Sequence, residues 1–72
     1  MSDNVYKVVE LVGTSTRGTD DAIANAISRA SKTLRRLDWF EVKEVRGHVA
    51  EGKVAHTQVV LKVGFRLEDD AE

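Results

Sequence analysis

The sequence contains no cysteine. A disulfide framework and a thiolate metal site are excluded together. Aromatic residues are scarce: one Trp, one Tyr and two Phe. No apolar run approaches the ~20 residues of a membrane-spanning helix. The first residues, Met1-Ser2-Asp3-Asn4, lack the basic-then-apolar pattern of a secretory leader, so a cytoplasmic protein is expected. An excess of one charge is missing too. Eleven basic residues face twelve acidic ones, for a net charge of −1. That balance argues against general nucleic-acid binding. His48 and His56 have no helical or Cys partner, so no zinc site is expected.

What is present fits one small domain over residues 1–72. A domain this short buries only about 60% of its unfolded surface, which makes a lone core marginal. Residues 5–12 are rich in β-branched side chains and read as a first strand. A polar turn follows over 13–18. Residues 19–36 read as a helix, with Ile23, Ala26, Ile27, Ala30, Leu34 and Leu37 forming one apolar stripe. Ser15 or Thr19 is the expected N-cap, and Asp20 and Asp21 suit the positive helix end. Arg29, Lys32, Arg35 and Arg36 complement the other end; the sharper reading is a contact for anionic groups. Two further strands, about 39–49 and 53–67, are joined by a hairpin turn at Glu51-Gly52. The acidic stretch 68–72 reads as a solvated tail.

With Glu51 and Gly52 as the loop and no bulge, opposed residues of the hairpin have numbers that sum to 103. Phe40 then meets Val63 and Val42 meets Leu61, on the face that receives the helix. Trp39 meets Gly64 on the other face, with Glu41 opposite Lys62, Lys43 opposite Val60 and Val45 opposite Gln58. This register turns Arg46 toward the helix side and keeps His48 and His56 off a common face. Trp39 is left as an outward indole, which calls for a partner: a second subunit, a flat ligand, or both. Open sheet edges point to a large oligomer.

Little here can catalyse. No Ser has an adjacent base, and no acid–base dyad stands out. For binding there is more. Trp39 offers a flat apolar surface. Gln58 carries a donor and an acceptor. Arg46 and Arg66 can meet phosphate. Together they suit a planar heterocycle bearing phosphate. The bland alternative is a structural or partner-binding oligomer in which Trp39 fills a subunit contact.

The segments Val-Tyr-Lys-Val-Val-Glu-Leu-Val-Gly-Thr-Ser (5–15), Leu-Asp-Trp-Phe-Glu-Val (37–42), Arg-Gly-His (46–48), Gln-Val-Val-Leu-Lys-Val (58–63) and Gly-Phe-Arg-Leu-Glu (64–68) resemble the dodecins, bacterial members above all. The likeness spans nearly the whole chain. It implies an α+β, β-α-β-β subunit whose three-stranded antiparallel sheet wraps one helix, and twelve such subunits in a hollow shell. It implies flavin, as FMN, riboflavin or FAD, in stacked pairs at two-fold axes, stored and photochemically quenched rather than used in catalysis. Some members also carry coenzyme A. Carried onto this sequence, Trp39 is the stacking residue, Gln58 reads the ring edge, and Arg46 and Arg66 line the site or meet phosphate. Gln58 lies six strand residues from Gly64, about 20 Å along the strand. One flavin is therefore expected to take Trp39 and Gln58 from different chains.

Overall fold

The computed structural model describes residues 3–67; the acidic stretch 68–72 lies outside them. The elements run β1 (Tyr6–Ser15), α1 (Thr19–Ala30), β2 (Leu37–Ala50) and β3 (Lys53–Arg66). The β-α-β-β order is as expected. All three strands are antiparallel in the order β1-β3-β2, so β3 takes the centre. It is also the best-buried strand, because both of its edges are paired. Val59, Leu61 and Val63 alternate toward the helix and are fully buried. Burying each such side chain stabilises by about 1.5–3 kcal/mol.

The helix lies against β1 and β3. Its buried residues are Ala22, Ala26 and Ala30, all small, so the backbone comes very close to the sheet. At Gly13 the approach leaves no room for a side chain: a Cβ there would overlap the Ala22 carbonyl and stand 3.0 Å from Ala26 Cβ. Ile23, Ile27 and Leu37 pack around that contact. Phe40 and Val42 do share the helix-side face, but they remain 49% and 40% exposed. The helix is too narrow to cover a third strand, and β2 extends beyond it.

The helix boundaries differ from the pattern in the sequence. Its N-cap is Gly18, with no side-chain capping bond. Ser15 instead is buried in β1, where its hydroxyl donates to Asp21 Oδ2 (2.6 Å) and accepts from the Arg17 N–H (2.8 Å). The regular helix stops at Ala30 rather than 36. Ser31 and Thr33 hydroxyls bond back to the Ser28 and Ala30 carbonyls, a local competition that weakens helix continuation. The chain then reverses through Arg36 at φ 63°. The Arg36 carbonyl accepts from the Arg66 N–H at 3.1 Å, which ties the entry of β2 to the end of β3.

The Glu51-Gly52 turn is as expected. Both residues have positive φ, 54° and 75°, the pattern of a type I′ turn whose twist matches the strands. The register departs from a constant sum. Pairing shifts occur between Leu37 and Trp39, between Val42 and Glu44, and between His48 and Val49. Lys43 is the extra residue on β2, and Ala55 is the extra residue on β3. The two insertions cancel, so Phe40–Val63, Val42–Leu61, Trp39–Gly64 and Glu41–Lys62 stand opposed as expected. Between the bulges every pair is displaced by one. Glu44, not Lys43, opposes Val60, and Val45 opposes Val59 rather than Gln58.

Candidate functional site

The site is built on the sheet face that the helix leaves bare. Trp39 enters it because Asp38 is inserted in the pairing between Leu37 and Trp39. Its indole is 43% exposed and lies flat on Gly64, where any Cβ would overlap the ring. Gly64 itself is buried. One face of the indole is thus seated on backbone, and the rest faces outward. On the far side of β3, Val8 opposes Gly64 and Tyr6 opposes Arg66. Arg66 therefore stands on the Trp39 face, two positions past the indole seat.

Gln58 occupies the same face six residues away, about 20 Å along the strand. Arg46 opposes it directly, and Arg46 Nε donates to Gln58 Oε1 at 2.9 Å. The guanidinium also lies 3.7 Å from Glu44. This corrects the expectation that Arg46 turns to the helix side. The Lys43 bulge moves residues 44–48 by one position and so reverses their faces. The same shift sets His48 opposite His56, against expectation. Their rings stack with centroids 5.5 Å apart and planes 14° from parallel.

A charged pair links the outer strands across this face. Lys43 Nζ reaches over β3 to Glu10 Oε2, at 2.8 Å. The hydrogen bond from Lys43 and its charge hold the Glu10 carboxyl below the usual range. The same bond raises Lys43. Both groups are exposed, so the pair is screened by salt.

One chain brings Arg46 to Gln58 and Arg66 to the neighbourhood of Trp39. It does not bring Trp39 to Gln58. The pairing of Arg46 and the placement of two further residues escaped the sequence reading. Arg46 as the partner of Gln58 was hidden by the bulge. Tyr6 and Val8 were hidden because β1 carries apolar residues on both faces, which leaves its phase open. A groove of about 540 Å³ is elsewhere: it lies beside the helix, lined by Leu11, Gly13, Asn25, Ala26 and Arg29 among others. Among the described residues no group of three or more His, Cys, Asp and Glu side chains converges on a metal position, and no helix is long and apolar enough to cross a membrane.

Known proteins share this architecture. A family model described as Dodecin matches residues 5–68. A dodecin of Thermus thermophilus is 65% identical over 65 residues, covering 90% of this chain and 94% of that one. The structure of dodecin from Streptomyces coelicolor superposes with a TM-score of 0.91 at 60% identity, covering 97% of this chain and all of the other. A more distant structure is the calcium dodecin of Mycobacterium tuberculosis, described as a calcium-chelating antigen. It matches with a TM-score of 0.77 at 29% identity, over 94% of this chain and 97% of that one.

Proposed function

As this chain belongs to the dodecin family, we propose that it binds a flavin, with the isoalloxazine ring stacked on Trp39 at a contact between subunits. The observation that carries this reading is the indole seated on Gly64. Its inner face is fixed and its outer surface is presented on a sheet face without a helix. A ring fixed in this way loses little freedom when a second ring stacks on it.

The second contact comes from Gln58. Its carbonyl oxygen is taken by Arg46, which leaves the amide N–H₂ to donate to a ring carbonyl of the ligand. Since Trp39 and Gln58 are too far apart for one isoalloxazine, the two side chains come from different copies of the chain. A two-fold axis achieves this by bringing opposite ends of one face together. The assembled state is the homododecamer of the family. Arg66, beside the indole, is the residue placed to meet the ribityl phosphate of FMN.

The role is storage and photoprotection, the stacked indole quenching the excited ring. The test is a titration of the purified protein with FMN and with riboflavin, followed by flavin fluorescence and absorption. Saturable quenching with a shifted visible band is expected. Unchanged spectra with both flavins overturn the reading and leave Trp39 as a subunit-contact residue.

A further inference from the structure

At the hairpin end of the same sheet, two strand positions beyond Arg46 and Gln58, the paired imidazoles of His48 and His56 lie outside the contacts assigned to flavin above. We propose that they form a labile chelating site for a divalent transition-metal ion, of the copper and zinc class. Three observations carry this. The Ala55 bulge sets the two residues directly opposite on adjacent strands, so their Cβ atoms leave the backbone toward the same side. The rings already face each other, 5.5 Å between centroids and 14° from parallel. His56 also borders an open hollow of about 340 Å³ beside Thr14, Ser15 and Thr16. Water ligands can complete the coordination there.

The chemistry follows from the donors. Imidazole nitrogen suits zinc, copper and nickel, whereas calcium and magnesium require oxygen. Zinc–nitrogen bonds of about 2.0–2.1 Å hold two nitrogens of a tetrahedral site roughly 3.4 Å apart. A modest rotation of each ring brings the nitrogens from the present stacking to that separation. With two protein ligands the ion exchanges with solvent instead of holding the fold together. Two cations stand two positions away on this face, about 7 Å along the strand: Lys53, opposite Ala50, and Arg46. The hydrogen bond of Arg46 to Gln58 and its approach to Glu44 keep Arg46 from crowding the ion. Ions of this class bind only neutral imidazole.

The experiment titrates the untagged, chelator-stripped full-length protein with CuCl₂ and records its paramagnetic resonance spectrum. The expected result is one Cu²⁺ per chain with superhyperfine splitting from two imidazole nitrogens. His48→Asn and His56→Asn are each expected to lose that signature while keeping the wild-type circular dichroism and flavin response. ZnCl₂ should displace the copper only in large excess, since imidazole sites hold Cu²⁺ more tightly than Zn²⁺, and CaCl₂ should not displace it. Absence of stoichiometric Cu²⁺, a one-nitrogen spectrum, displacement by CaCl₂, or a two-nitrogen spectrum surviving in either variant overturns the proposal.

Discussion

Arg46 and Gln58 face each other across β2 and β3, and the Arg46 Nε–H donates to the Gln58 side-chain oxygen at 2.9 Å. The bond settles which end of the amide is left for a ligand. A guanidinium has only donors, so the oxygen must turn toward it and the N–H₂ away.

Arg46→Ala is expected to weaken flavin binding by about 0.5–1.5 kcal/mol, the net worth of an ordinary hydrogen bond. If Arg46 acts through Gln58 and not on phosphate, the loss should be equal for FMN and riboflavin. In a Gln58→Ala background, Arg46→Ala should add nothing further. A loss confined to FMN would make Arg46 a phosphate ligand instead.

Gly64→Ala is expected to lift the indole off its seat. Overpacking of this kind costs about 1–3 kcal/mol, and here the ring, half exposed, is the part free to move. Flavin quenching should fall while the oligomer, read by light scattering, stays intact. Trp39→Ala should weaken flavin binding by about 1–3 kcal/mol, taking aromatic stacking on a nucleobase as the guide. Wild-type quenching in Gly64→Ala would mean that the seat does not set the stack.

A site shared between chains predicts complementation. Trp39→Ala and Gln58→Ala chains, co-refolded, should form mixed oligomers in which some sites keep both residues. Their flavin affinity should exceed that of either parent oligomer. Binding equal to the average of the parents would place the whole site within one chain.

The Glu10–Lys43 bridge predicts a pH dependence. Glu10 is held below its ordinary value by Lys43, so its contribution is full above the ordinary carboxylate range and is lost as pH falls through the lowered value. Lys43 is raised, so its share is full below the ordinary lysine range and fades as pH rises through the raised value. Glu10→Gln should therefore flatten the acid limb of the stability profile at low salt and change little at high salt. An unaltered acid limb would show the bridge to be energetically silent.

Much of the fold was legible. The Glu51-Gly52 turn anchors the register near the loop, and the alternation of Phe40, Val42, Leu61 and Val63 fixes the face. Trp39 against Gly64 follows from those two facts because the Lys43 and Ala55 insertions cancel. The middle of the hairpin was not legible, because Lys43 and Ala55 carry no sign of being extra. Both suit a regular strand as well as a bulge. The Lys43 insertion is why Arg46 and His48 changed faces, and it brought His48 onto the face of His56. The helix end was obscured for a different reason. Leu34 and Leu37 continue the apolar spacing beyond Ala30, although Ser31 and Thr33 have already turned their hydroxyls to the backbone.

The short reach of the helix has a further consequence. Along β2 the side chains of Phe40, Val42, Val45 and Val49 lie between 40% and 67% exposed, and among the described residues of the chain none covers them further. If neighbouring copies do, folding and association are a single mass-action equilibrium. The thermal midpoint then belongs to the solution as much as to the sequence, and it should fall on dilution with no denaturant added.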